Sequence, residues 1–306
     1  AILAQVKCLH CTASLIFRRQ RSMFTRCTRV VGRACQVRRF SGIGTRWVEE
    51  SKNLAPVIQV YKQQGWVHLP WGFLDEAACL QEASFARRYV AEGKAFHSTE
   101  SHTCYQEEQD PSFPPDHCRN ALQVSEKLIV DYAKLEGTSP VKLLYQDLRF
   151  RRMISEIVGL PDLHLSACPF NAAYMNVFED GHGLGWHFDR SEFGVNLILS
   201  APSGGADFEF HYHTRSEEDL FSYGKVSEVL DAGSSHPEVT KPVDVKPGDV
   251  VIFNGRLNMH RVTPVKGADP RVNAIFTFEK QPGARGNAYM LKKFFGRTLK
   301  EQEAHM

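Results

Sequence analysis

At 306 residues, 42% hydrophobic and 24% charged, the chain is long enough to bury a full core in one or two domains and is expected to be a soluble globular protein. Its longest apolar cluster, Leu15-Ile16-Phe17, falls far short of the roughly 20 residues that cross a bilayer, so no membrane partner is expected. The net charge of +2 hides an asymmetry: residues 1–48 hold ten of the 37 basic residues and no acid, leaving 27 basic against 35 acidic residues in the rest, a net −8.

A basic, acid-free head containing Ser and Thr has the composition of an organelle transit peptide. Arg38-Arg39-Phe40-Ser41 is similar to a mitochondrial processing site cut after Phe40, so residues 1–40 are read as presequence. A mitochondrial location is expected, with plastid or cytoplasm as alternatives. The other use of such a head, a nucleic-acid-binding arm, lacks interleaved aromatics and a folded module, and no nucleic-acid partner is expected. The absence of an initiating Met points to a fragmentary start. Cys8-x-x-Cys11 has no second pair to complete a zinc site, and Cys79, Cys104, Cys118 and Cys168 are scattered, so no structural disulfide is expected.

Past the head, Trp47 to Gln64 has helical spacing, Trp66 to Pro70 reads as a short strand, and Asp75 caps a helix running to about Gly93. The polar stretch from Gly93 to Asn120, with His97 and His102, reads as a long loop. Leu122, Leu128, Ile129, Tyr132 and Leu135 recur at helical intervals before Gly137. Leu144, Tyr145, Leu148, Ile154 and Ile157 do so again before Gly159, which predicts two amphipathic helices.

From about Asn171 the pattern changes to short strands and turns, as in a sandwich or barrel. Ala173 to Phe178 places Tyr174, Asn176 and Phe178 on one face, and a turn through Asp180, Gly181 and Gly183 leads to a strand ending at His187, read as a hairpin. Strands are further predicted at Phe193–Leu199, Ala206–Tyr212 and Val250–Phe253, the last launched by Pro247-Gly248-Asp249. Ser216 to Ser235 is an excursion between strands. The final strand, Val272 to Phe278, sets Val272, Ala274, Phe276 and Phe278 on one face, and Arg271, Asn273, Ile275 and Thr277 on the other.

The chemistry concentrates at His187-Phe188-Asp189. On a strand, residues i and i+2 share a face, so His187 and Asp189 can grip one metal while Trp186 and Phe188 point away. With His260 as a third donor from a distant strand, this is a 2-His-1-carboxylate set. Such a set leaves one face of Fe(II) open for a chelating cosubstrate and O2. With 13 His and 35 acidic residues, a His-x-Asp or His-x-Glu arises about once or twice by chance. The rival, His236-Pro237-Glu238, lies among Gly233, Ser234 and Ser235 and carries a proline that cannot join a ladder, so it reads as a surface loop.

His-x-Asp, a Gly-rich strand start, Pro-Gly-Asp, then His and Arg occur here in the order that resembles the Fe(II)/2-oxoglutarate-dependent oxygenase superfamily, over roughly Asn171 to Gly283. A narrower likeness is to the group of free-amino-acid halogenases and related hydroxylases. It is carried by Gly185-Trp186-His187-Phe188-Asp189, Phe208-Glu209-Phe210 and His260-Arg261-Val262-Thr263-Pro264-Val265. In halogenating members a small residue replaces the carboxylate; Asp189 fills that place here, which favours hydroxylation.

The resemblance implies Fe(II) at His187, Asp189 and His260, with 2-oxoglutarate and O2 as cosubstrates and ascorbate as a candidate reductant. Arg271 would hold the far carboxylate of 2-oxoglutarate, a bidentate match that Lys cannot make. Tyr174, Asn176, Asn273 and Thr277 either line the cosubstrate pocket or satisfy a buried sheet. Glu209 and Arg190 either select a charged substrate or belong to a solvated edge. The expected architecture is α+β, a double-stranded β-helix of the jelly-roll or cupin-like kind with supporting N-terminal helices. Residues 41–160 form the helical support with one or two strands, and 161–306 the oxygenase domain. The expected substrate is a small polar metabolite such as a free amino acid, hydroxylated with release of succinate and CO2. Desaturation, epoxidation, cyclisation, a peptide or protein substrate, and a catalytically inactive binding protein remain as alternatives.

Overall fold

The computed structural model describes residues 42–299, so the expected presequence and its Phe40 cleavage point lie outside the described residues. Two short helices, α1 (Arg46–Glu50) and α2 (Ala55–Gln64), replace the single helix expected there. Pro56 is the cause: it has no N–H to donate and fits only a first turn, so the helix restarts around it. β1 (Trp66–Leu69) follows, and Asp75 caps α3 (Glu76–Ala91) as predicted, its carboxylate accepting from Ala78 N at 2.8 Å.

The next region departs from expectation. The long loop contains β2 (Phe96–Ser98) and β3 (His102–Thr103), and the first of the two predicted helices is instead β4 (Leu122–Gln123), β5 (Lys127–Val130) and a 3-10 turn at Tyr132–Lys134. The run Leu128-Ile129-Val130 suits a pleated strand, and β5 finds antiparallel partners on both sides, so long-range pairing overrides the helical spacing. The second predicted helix is divided into α4 (Pro140–Gln146) and α5 (Leu148–Val158) at Asp147, which ends one and caps the other by accepting from Arg149 N at 2.8 Å. α5 stops at Gly159 in the left-handed conformation. Residues 41–160 therefore contribute five strands rather than one or two.

The remaining elements are β6 (His164–Leu165), β7 (Ala173–Phe178), β8 (Leu184–His187), β9 (Gly194–Ser200), β10 (Phe208–His211), α6 (Tyr223–Ala232), β11 (Val239–Thr240), β12 (Val250–Phe253), β13 (Met259–Val262), β14 (Arg271–Phe276), β15 (Phe278–Glu279) and α7 (Ala288–Phe295). A major sheet runs β1-β12-β9-β14-β7-β5-β2 and a minor sheet β11-β10-β13-β8, with every pairing antiparallel. This is an α+β fold with a large sheet and flanking helices, although the described strands do not close into a barrel. β7 and β8 do not form the expected hairpin: β7 pairs with β5 and β14, β8 with β13, and the turn between them carries the chain from one sheet to the other.

Four apolar clusters fix these sheets, one of them grouping Leu291, Phe294 and Phe295 of α7 with Ile129 of β5. The outer face of the major sheet, with Met175, Val177, Leu197, Val272, Ala274 and Phe276, packs on Trp47, Phe73, Leu144, Tyr145 and Phe150 of the helical layer. Between the sheets lie Trp66, Phe178 and Phe253 of the major sheet against Phe208, Phe210 and Val262 of the minor one. Behind the minor sheet, Trp186, Phe188 and Met259 pack on Val226 and Val229 of α6. Each buried Phe or Leu contributes about 1.5–3 kcal/mol.

Candidate active site

The minor sheet brings two imidazoles together. His187 and His260 are directly opposed in the β8–β13 ladder, with ring centroids 4.2 Å apart. β8 holds an extra residue between Leu184 and His187 relative to β13, a bulge that re-aims the strand end. Trp186 and Phe188 turn to the α6 side, as strand phase predicts, and Asp189 lies just beyond β8 with its carboxylate between the rings. Its Oδ1 is 3.6 Å from His187 Nε2 and its Oδ2 is 3.5 Å from His260 Nε2. All three candidate ligand atoms lie within 4.8 Å of one another.

The orientation of both rings is set from behind. His187 Nδ1 donates to Gly185 O at 2.8 Å and His260 Nδ1 to Asn258 O at 3.1 Å, which leaves each Nε2 lone pair facing Asp189. Asp189 N donates to Gly255 O at 2.9 Å. A Cβ on Gly255 would stand 2.3 Å from Asp189 Oδ2, so only glycine lets the β12–β13 turn approach this carboxylate. Burial alone would raise the Asp189 carboxyl, but the imidazoles of His260 and His187 outweigh it and hold the acid below the usual carboxylate range. Burial, and then His260, pushes His187 down, keeping it neutral and able to coordinate. One carboxylate, two rings pinned through their Nδ1 atoms, and an open side suit Fe(II) well.

A cavity of about 280 Å³ adjoins this cluster and reaches the major sheet, where Tyr174, Asn176, Arg271, Asn273, Ile275 and Thr277 line it together, in agreement with the predicted face. Arg271 is buried at the start of β14; its Nη1 donates to Ala206 O at 3.4 Å and its guanidinium lies 5.7 Å from the Phe178 ring centroid. Burial lowers its pKa to about 10, so it is still cationic near neutrality, without an ion-pair partner among the described residues. Asn273 donates to Asn196 Oδ1 at 2.7 Å, while the side-chain oxygens of Asn176 and Asn273 are buried without partners. A buried cation in the cavity wall fits a dicarboxylate.

The rival motif falls elsewhere. His236 and Glu238 sit beside His211, whose Nε2 is 3.4 Å from Glu238 Oε2, and none of the three lines the cavity. Glu209 faces away from the cavity and pairs with Arg261 at 2.8 Å, whereas Arg190 lines the cavity and pairs with Glu107 at 3.2 Å. A second His/Glu cluster, His97, Glu126 and His182, lies outside the cavity, with Glu126 Oε1 2.9 and 3.4 Å from the two Nε2 atoms. His182 Nδ1 is buried without a partner, so coordination through Nε2 would strand a buried N–H. That cluster reads as a hydrogen-bonded network.

Four further residues at the cavity were not singled out from sequence. Lys127 was assigned to a helix, Asn196 lies within an apolar strand, and Met290 and Phe294 belong to α7, which caps the site from the C-terminal end. The signal for Lys127 was its place as the one charged residue opening an apolar β-branched run.

The sequence matches the family described as Halogenase D over residues 115–288, more than half of the chain. The chain belongs to that family. Among solved structures, HygX from Streptomyces hygroscopicus, with nickel, 2-oxoglutarate and hygromycin B bound, is similar at 15% identity over 76% of this chain and 90% of that one, with a TM-score of 0.50. AviO1 from Streptomyces viridochromogenes Tue57 gives 18% identity, 76% and 97% coverage and a TM-score of 0.49. A 2OG-Fe(II) oxygenase family oxidoreductase from Burkholderia pseudomallei gives 15%, 76%, 93% and 0.44. At these identities the likeness concerns the fold. No curated protein matches the sequence. Family and donor set together support Fe(II)/2-oxoglutarate-dependent oxygenase chemistry. Among the described residues no helix is long and apolar enough to cross a membrane.

Proposed function

We propose that this chain is a 2-oxoglutarate-dependent dioxygenase that hydroxylates an unactivated C–H bond of a small polar metabolite such as a free amino acid, with release of succinate and CO2. The observation that carries the reading is the convergence of His187, Asp189 and His260 at one end of a cavity that also contains the buried, ion-pair-free Arg271. When bound, Fe(II) with 2-oxoglutarate would supply activation of O2 and delivery of one oxygen atom to the substrate and one to succinate.

His187, Asp189 and His260 would hold the metal by one face, and Arg271 would take the distal carboxylate of 2-oxoglutarate bidentately. Asn176, Asn196, Asn273 and Tyr174 would orient the cosubstrate, and Phe208, Phe253 and Val262 keep the cavity wall dry. The carboxylate of Asp189 occupies the position that a halide needs, which supports hydroxylation within a family whose description names a halogenase. A cavity of about 280 Å³ favours a small molecule over a peptide.

Anaerobic addition of Fe(II) and 2-oxoglutarate should give a weak visible charge-transfer band, and succinate should form on aeration with a responsive metabolite. Folded protein that gives neither result would instead support a binding protein on an oxygenase fold.

A further inference from the structure

Phe188 stands between two candidate metal donors without being one. β8 ends at His187, and Asp189 lies outside the β8–β13 ladder, so the chain beyond the strand hangs on single bonds to two loops. Phe188 N donates to Cys104 O at 2.8 Å and Asp189 N to Gly255 O at 2.9 Å. The Phe188 ring, buried in the cluster that includes Val226 and Val229 of α6, is a further hold on the angle between His187 and Asp189.

Arg215 grips that ring. Its guanidinium carbon is 3.8 Å from the Phe188 ring centroid and 6.0 Å from that of Tyr105, whose own centroid lies 5.6 Å from Phe188. Burial lowers its pKa to about 10, so it stays cationic near neutrality. Its Nε donates to Arg256 O at 2.7 Å, its Nη1 to Leu220 O at 3.0 Å and its backbone N to Leu257 O at 3.0 Å. The carbonyls of Arg256 and Leu257 belong to the turn between β12 and β13. In that turn Gly255 O receives Asp189 N, and Asn258 O bonds His260 Nδ1. Two further bonds stitch the turn to the segment carrying Arg215: His213 N to Asn258 Oδ1 at 2.7 Å and Met259 N to Thr214 Oγ1 at 3.0 Å.

We propose that Arg215, which does not line the cavity, is a positioning residue of the metal centre: through the Phe188 ring and the β12–β13 turn it sets where the Asp189 carboxylate stands relative to the two imidazoles. This rests on the metal reading above. Arg215 touches both supports of Asp189, the ring that precedes it and the turn that anchors its amide. A guanidinium can stack with its face and donate with its edge at the same time, which an ammonium cannot do. Its bond to Leu220 O ties the Ser216 to Ser235 excursion to the same point.

The probe is Co(II) alone, titrated into the full chain without 2-oxoglutarate and followed by its visible d–d band, whose position and intensity report the donor geometry. Wild type should give a saturable band. Arg215→Met should weaken Co(II) binding about tenfold and alter the band, the scale expected when a group that orients a ligand is removed. Arg215→Lys keeps the charge but not the planar stack, and should bind Co(II) roughly threefold more weakly than wild type, with a band between the two. Circular dichroism and urea unfolding of the metal-free proteins establish that each variant is folded.

A purely structural role predicts a lower urea midpoint with the wild-type Co(II) affinity and band. That result in Arg215→Met overturns the proposal and leaves the metal site standing. Should Arg215→Met fail to fold, the wild-type affinity and band in Arg215→Lys overturn it in the same way. No saturable band from the wild type removes the metal reading and this inference together.

Discussion

His187 and His260 face each other across a single antiparallel register position, 4.2 Å between ring centroids, each locked by an Nδ1–H bond to a carbonyl two residues before it. Two backbone ladders and two short hydrogen bonds thus fix the rings without help from a metal. Asp189 lies just beyond the β8 strand, and it is the member of the set that decides the chemistry.

Asp189→Gly should abolish substrate-coupled succinate formation, a loss of at least 100-fold, because the metal loses its anionic donor. The variant should still fold, since the side chain makes no contact with the apolar layers. Full retained activity would show that Asp189 is not a ligand.

Arg271→Lys keeps a charge and loses the two-pronged geometry. The half-saturating 2-oxoglutarate concentration should rise about tenfold, corresponding to roughly 1.4 kcal/mol. Binding of Co(II) alone should be unaltered, and a variant with normal 2-oxoglutarate saturation would remove Arg271 from the cosubstrate site.

Gly255→Ala tests the approach of the β12–β13 turn. The added methyl falls on Asp189 Oδ2, so either the turn or the carboxylate must move. Metal affinity should drop on the order of tenfold, in line with the cost of disturbing groups that orient a ligand. A variant that binds Co(II) as tightly as the wild type would refute the packing argument.

His102 supplies a pH test. It lies under His187 with ring centroids 5.7 Å apart, and its Nε2 is 2.6 Å from Ser125 Oγ. Burial, and then His187, pushes its pKa down to about 3 from an unfolded value of 6.5. The unfolded chain therefore binds a proton below pH 6.5 that the folded one refuses, so this stability is complete above pH 6.5 and is lost as pH falls toward 3. In urea titrations of metal-free protein, wild type should lose about 2–3 kcal/mol more than His102→Gln between pH 6.5 and 4.5. Parallel profiles would count against a neutral buried His102.

The candidate triad was legible because strand phase is a local property: His187 and Asp189 two apart, and Arg271 in step with Asn273, place themselves once a strand is granted. Asp75 was equally plain as a helix cap. Lys127 was not, since Leu122, Leu128, Ile129, Tyr132 and Leu135 satisfy helical spacing, and only pairing with β7 and β2 selects a strand. The β7–β8 turn misled for a related reason. A short Gly-containing turn usually returns a strand to its neighbour, and nothing local records that His187 belongs to a different sheet from Asn176.

That separation has a consequence for selectivity. The metal donors all sit on or beside the minor sheet, while Arg271 sits on the major one, so the span between metal and guanidinium is the gap between two jaws. Phe178, Phe208, Phe210 and Phe253 are the spacers that set it. On the proposed reading, that gap would gauge the length of the oxoacid held between them, as a caliper does. A smaller spacer at Phe208 would reset the gauge toward a dicarboxylate of different length without touching a single polar contact.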